Sequence, residues 1–284
     1  MADRGNIYRF DRQKFLIILR GENRAMFKKL VFIFPLLLLV AACGTEKPAE
    51  KPPAFSGPNT LTAEEKAAGW RLLFDGKSFD GWRGLGREAI PEGHWIIENG
   101  TIKKIPSGKV PAQADGQPLV GGDLMTFDTF EDFELYLEWK ICPAGNSGIK
   151  YNVSEEMSKS HPPRYAALGF EYQILDDDLH PDSREESHTA AALYDLIQPV
   201  GKTLKPVGEY NSARILFHGN HAEHWLNSVK VLEYDLGSED FQRRVAKSKY
   251  RNIEGFAQKR KGHIVLQDHT DAVWYRSIKI REIR

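Results

Sequence analysis

Cysteine is scarce: Cys43 and Cys142 are the only two in 284 residues, so no disulfide framework can hold the chain and a buried core must do so. Neither sign of charge prevails. The 39 basic side chains balance the 39 acidic ones, which leaves no single-sign field to attract a polyanion and argues against nucleic acid as a partner. No uninterrupted apolar run reaches the roughly 20 residues that a membrane-spanning helix needs. Internal repeats are missing too. Aromatic residues are well represented, with 6 Trp, 10 Tyr and 15 Phe, a composition that suits a strand-rich fold or a sugar-stacking surface.

Residues 26–44 combine a basic start (Lys28, Lys29), the apolar run 30–42 interrupted by Pro35, and the sequence Val40-Ala41-Ala42-Cys43-Gly44. These are the parts of a secretory signal, and the whole resembles a bacterial lipoprotein signal. The resemblance implies that Cys43 is acylated and becomes the new amino terminus. Residues 1–25 then read as an extended leader or a misassigned start, 26–42 as the signal, and 43–60, with four prolines, as a flexible tether. Such a chain is expected on the envelope, touching the membrane only through its lipid. Lipidation of Cys43 leaves Cys142 without an intramolecular partner.

The folded part is expected to run from residue 61 to 284. Thr62 with Glu65 has the capping-box spacing for a short helix, and Ser238 followed by Glu239 and Asp240 opens a second helix that extends to about 248. Elsewhere the pattern has period two. Strands are expected over 70–74, 94–98, 101–105, 133–141, 148–153, 170–175, 213–217, 221–226, 229–234, 263–267 and 273–280, with tight turns at Asn99-Gly100 and Asn227-Ser228. Many strands without alternating long helices predict an all-β fold, two antiparallel sheets packed as a jelly-roll sandwich. The polar segments 106–122 and 154–167 are expected as loops walling a cleft.

Within this pattern, residues 169–178 stand out. Phe170, Tyr172 and Ile174 share one face of an extended strand, while Glu171, Gln173 and Leu175 share the other. A carboxylate and a carboxamide side by side fit either a solvated outer face or a site.

An ordered series of motifs runs along the domain: Leu-Phe-Asp-Gly-Lys-Ser-Phe-Asp-Gly-Trp at 73–82, Glu-Trp-Lys-Ile at 138–141, Gly-Asn-Ser-Gly-Ile at 145–149, Ala-Leu-Tyr-Asp at 192–195, Glu-His-Trp-Leu-Asn at 223–227 and Leu-Gln-Asp-His at 266–269. From Gly69 onward the chain resembles the bacterial 3-keto-disaccharide hydrolase domain family. That resemblance implies a concanavalin-like jelly roll related to laminarinase-type β-glucanases, and a 3-keto sugar as substrate. The laminarinase relatives carry two glutamates on one strand, the close carboxylate pair of a retaining glycosidase. Here Gln173 and Leu175 follow Glu171, so that pair is missing. A ketone removes the need for it, because it acidifies the hydrogen on the neighbouring carbon and one base can start elimination of the glycosidic group.

Such chemistry needs a base and a donor for the enolate oxygen. Glu171 and His188 are the expected base and acid. Lys150 and Gln173 are expected at the oxyanion or the sugar hydroxyls, Asn146 and Ser147 in an adjoining turn, Tyr194 nearby, and Glu223 with Trp225 as a sugar platform. His221, Glu223 and His224 hint at a metal, but on a strand His224 faces away from the other two, and His269 is expected to be structural. The sequence leaves cofactor and metal open: a divalent ion held by distant residues such as Glu171 and His188 would serve as the enolate electrophile, but no ligand spacing points to one. The competing reading is a non-catalytic, lectin-like carbohydrate-binding lipoprotein.

Lipidation makes a direct prediction: Cys43→Ala should move the protein from the membrane fraction to the soluble one without unfolding it. Fractionation after a salt wash checks this, and a variant that stays with the membrane counts against it.

Overall fold

The computed structural model describes residues 57–106, 121–161 and 166–283, so the expected leader, signal, Cys43 and most of the tether lie outside the described residues, as does most of the expected loop 106–122. Among the described residues no helix is long and apolar enough to cross a membrane.

A capped turn opens the described chain. Helix α1 (Ala63–Ala67) has the expected reciprocal box between Thr62 and Glu65. The strands follow as β1 (Arg71–Leu72), β2 (Trp82–Gly84), β3 (Trp95–Glu98), β4 (Thr101–Lys104), β5 (Leu124–Thr126), β6 (Phe133–Ile141) and β7 (Asn146–Val153). After helix α2 (Glu155–Ser160) come β8 (Phe170–Leu175), β9 (Asn211–His218), β10 (His221–Leu226), β11 (Val229–Asp235), helix α3 (Glu239–Lys247), β12 (His263–Leu266) and β13 (Val273–Glu282).

They form the two antiparallel sheets that the sequence predicts. The larger runs β11-β10-β9-β6-β13-β4-β3, with β1 added against β13, and the smaller runs β2-β5-β12-β7-β8. Phe133, Leu135, Leu137, Trp139 and Ile141 of β6 meet Phe170, Tyr172 and Ile174 of β8 in one core. Phe170 alone has its ring within 6.2 Å of Tyr151, Phe217, Tyr234, Phe241 and Phe256, which fixes β8 against the larger sheet.

Three expectations need correction. Segment 154–167 is not all loop: Ser154 caps α2, its hydroxyl accepting the Met157 amide, and Glu155 and Glu156 occupy the first turn. Asn146 and Ser147 are not in a turn but begin β7, the turn being the preceding residues up to Gly145, with Ala144 at φ 55°. Finally, every residue of β7 and β8 is buried. The polar face of β8 is therefore covered, and a solvated outer face is ruled out.

Candidate active site

Antiparallel register places Lys150 opposite Glu171 and Gly148 opposite Gln173. Because side chains alternate, Asn146, Gly148 and Lys150 share the outer face of the smaller sheet with Glu171 and Gln173, while Ile149, Tyr151, Phe170 and Tyr172 enter the core. Glu171 Oε2 lies 3.6 Å from Lys150 Nζ, with both side chains 5% exposed or less. Lys150 also donates to the Ala167 carbonyl at 3.2 Å. With its amide turned to satisfy its surroundings, Gln173 donates to Glu171 Oε1 (3.2 Å) and to the Ser147 carbonyl (3.1 Å). At an effective dielectric of about 20 the Lys150–Glu171 attraction is about 4 kcal/mol, enough to offset much of the desolvation of each ion but not to leave either one unpaired.

Gly148 is what lets the carboxylate lie there. A Cβ at this position would overlap Glu171 Oε1 and come within 2.9 Å of its carboxyl carbon.

The charge network extends inward from Lys150. Asp123 accepts the amides of Asp268 (2.8 Å) and Ala167 (3.0 Å). Burial pushes its carboxyl up to about 6, against the opposing pull of the Lys150 charge and the two amides. Asp268 in turn pairs with Lys104 at 3.1 Å and His94 at 2.5 Å.

Beyond these ions, Asn146, Glu171, Gln173, Tyr194, Lys249, Gln267 and His269 line a small pocket. Tyr194 is carried by a segment that runs along the edge of β8: Ala191 N donates to Gln173 O (2.8 Å), Gln173 N to Ala192 O (3.1 Å) and Tyr194 N to Glu171 O (3.0 Å). Its ring stacks on His188 at 4.3 Å, its hydroxyl donates to Asp182 at 3.1 Å, and Lys249 Nζ sits 4.3 Å from the ring centre. Asp195 accepts the Lys249 amide at 2.6 Å.

His188 has Asp182 on Nδ1 (2.9 Å) and Asp195 on Nε2 (3.3 Å). Two acceptors require two donors, the imidazolium form. Burial alone would lower its pKa, but the two carboxylates outweigh it and hold the ring at about 9. His188 is thus a fixed cation behind Tyr194, not an acid facing the pocket.

Of the residues expected from sequence, the structure brings together Glu171, Gln173, Asn146 and Tyr194, with Lys150 beneath them. Besides His188, three others lie elsewhere. Ser147 points into the core, bonded to Tyr275 Oη and the Gln267 carbonyl, both at 2.8 Å. Glu223 and Trp225 lie on the outer face of the larger sheet, where Trp225 Nε1 donates to Glu223 (2.7 Å) and Arg214 covers the indole. They form no part of this pocket.

As expected, His224 turns away from His221 and Glu223, into the core. His221, Glu223 and Glu233 bring ligand atoms within 4.8 Å of one another. Lys230 already serves these carboxylates, donating to Glu223 at 3.2 Å and Glu233 at 2.5 Å, so the positive charge is in place without a metal. Sequence reasoning missed three pocket residues. Gln267 and His269 belong to the Leu-Gln-Asp-His stretch, but nothing local separates a pocket histidine there from a structural one. Lys249, in a polar run after α3, carries no signal at all.

Two expected outcomes follow from this geometry. Gly148→Ala should lower the melting temperature, because the added Cβ must drive the buried Glu171 carboxylate from its place beside Lys150, and a crystal structure of the variant should show Glu171 displaced from Lys150. His188 has a folded pKa above its ordinary 6.5, so its stabilisation is complete below about 6.5 and is lost as pH rises through about 9. The melting-temperature advantage of the parent over His188→Gln should accordingly shrink across that window.

The chain as a whole resembles known proteins over most of its length. A curated 3-keto-disaccharide hydrolase from Bacteroides thetaiotaomicron is 38% identical over 244 residues, 78% of this chain and 81% of that protein. A crystal structure from Parabacteroides distasonis, provisionally described as a glycosyl hydrolase, matches with a TM-score of 0.69 at 31% identity, covering 80% of this chain and 100% of that one. Another from the same organism gives 0.56 at 24% identity, over 75% of this chain and 99% of that one, and shows the fold alone. The model of the 3-keto-alpha-glucoside-1,2-lyase-like domain matches residues 69–281, and the chain belongs to that family.

Proposed function

We propose that this protein cleaves glycosides of 3-keto sugars by elimination followed by hydration, giving net hydrolysis, and that it does so on the bacterial envelope, held by acyl chains on Cys43. The observation that carries the chemistry is the composition of the pocket. Among the described residues Glu171 is its one carboxylate, beside the side chains of Asn146, Gln173, Gln267, Tyr194, Lys249 and His269. A paired-carboxylate hydrolysis needs a second; a one-base elimination does not. The 38% identical 3-keto-disaccharide hydrolase supports the choice of substrate class.

In this reading Glu171 takes the proton from the carbon beside the ketone, and the electron pair moves to the ketone oxygen. Lys249 provides positive charge for that oxygen, while Asn146 and Gln173 hold hydroxyls. As the enolate collapses, the bond from the anomeric carbon to the glycosidic oxygen breaks and the leaving oxygen takes the proton back from Glu171, which returns to the carboxylate. Water then adds across the new double bond. Lys150 and Gln173 orient the base, and the pair of His188 and Asp182 positions Tyr194.

A lectin-like role fits the pocket less well. Sugar-binding modules stack ligands on open aromatic faces, whereas the Tyr194 ring is stacked on His188 and covered by Lys249.

Glu171→Gln preserves shape and removes the base, so turnover of a 3-keto disaccharide should fall by about a hundredfold or more with the fold intact. Product analysis by mass spectrometry, beside a melting curve, measures both. Near-full activity in the variant would move the base elsewhere, and turnover of an unoxidised glucoside by the parent would remove the keto-sugar mechanism.

A further inference from the structure

Gln267 presents a buried acceptor with no donor among the described residues. Its residue is 3% exposed, it lines the pocket beside Glu171, and its side-chain oxygen Oε1 receives no hydrogen bond from any described residue. Buried amide oxygens are nearly always satisfied, and one left bare is a standing cost to the fold.

The side chain is not there by drift. Gln267 follows the last residue of β12, and β7 clamps its backbone on both sides: its amide donates to the Gly148 carbonyl at 2.9 Å, and its carbonyl accepts the Ser147 hydroxyl at 2.8 Å. These two β7 residues flank the site in different ways. Gly148 makes room for the Glu171 carboxylate and Ser147 faces the core, so Gln267 is held in register with the base.

We infer that Gln267 Oε1 accepts a hydrogen bond from a hydroxyl of the bound sugar and selects sugars that carry a free hydroxyl at that point. The inference rests on the keto-glycoside reading above for its substrate. The donor is a neutral hydroxyl and not an ammonium group, because Lys249 already lines the pocket and the Glu171 carboxylate already faces Lys150. A site built around such an acceptor discriminates against a ligand that lacks the hydroxyl, since the oxygen then stays bare in the complex.

The test compares the full-length parent with Gln267→Met, which keeps the volume and removes the acceptor. The probes are a 3-keto disaccharide and its analogues lacking single hydroxyls on the keto-sugar ring. The parent should lose about tenfold or more in kcat/KM with one particular analogue. Gln267→Met should lose a similar factor with the complete sugar and treat that analogue and the complete sugar alike. Its melting temperature should be unchanged or higher, because a bare buried acceptor is gone; a residue with a purely structural role would lower it. Equal discrimination by both proteins overturns the inference.

If the parent turns over no keto sugar, the keto-glycoside reading fails on its own. Calorimetric binding of the corresponding unoxidised disaccharide and its deoxy analogues to the same two proteins then decides whether Gln267 reads a hydroxyl. Identical binding profiles would reject that role.

Discussion

The charges on the outer face of the smaller sheet and at the adjoining end of β4 are kept almost wholly out of water, and each one survives only beside its opposite. Lys150, Glu171, Asp123, Asp268 and Lys104 are all buried, and a buried ion without a partner costs several kcal/mol. Lys150 therefore cannot be considered without Glu171, nor Asp268 without Lys104 and His94. The candidate base is one end of a compensated chain of charges that passes through three strands and the loop after β12. Its orientation follows from that compensation more than from its own rotamer preference.

The opposite face of β8 meets an equally strict requirement with different chemistry. Tyr151, in the aromatic core, contacts His224 Nε2 at 2.7 Å and Tyr234 Oη at 2.8 Å. His224 Nδ1 lies 3.1 Å from the Ala191 carbonyl; a carbonyl only accepts, so Nδ1 carries the proton and Nε2 takes the Tyr151 hydroxyl. Burial pulls this imidazole down to about 4, with the bond to Ala191 opposing, which keeps it neutral at ordinary pH. The segment that delivers Tyr194 to the pocket is thus pinned twice, by β8 along its edge and by a core histidine of the larger sheet.

Period-two alternation made the long strands legible. β6, β8 and β13 carry five or more side chains each with a consistent inward set, and their expected bounds differ from the observed ones by two residues at most. Turn chemistry was equally plain: Asn99 and Gly100, and Asn227 and Ser228, all adopt positive φ as tight hairpin turns demand. β2 and β5, three residues each, are too short to show a period, and they exist because neighbouring strands pair with them. Alternation also says which residues share a face but not whether that face is covered. Glu171, Gln173 and Lys150 could be grouped from the sequence, while their burial could not. His188 looked like a loop acid because the loop residues that neutralise it, Asp182 and Asp195, become its partners only through two short 3-10 turns.

β8 is the last strand of its sheet, and an open edge of unpaired amides and carbonyls normally invites another chain to dock. Here the alternate groups of that edge are taken by residues 191–194, including the very amide that carries Tyr194. A second copy could add a strand at this edge only by peeling the segment away, and Tyr194 would leave the pocket with it. Edge-to-edge self-association and an assembled pocket are therefore mutually exclusive along β8, so the segment that completes the pocket also keeps this edge from pairing with another chain.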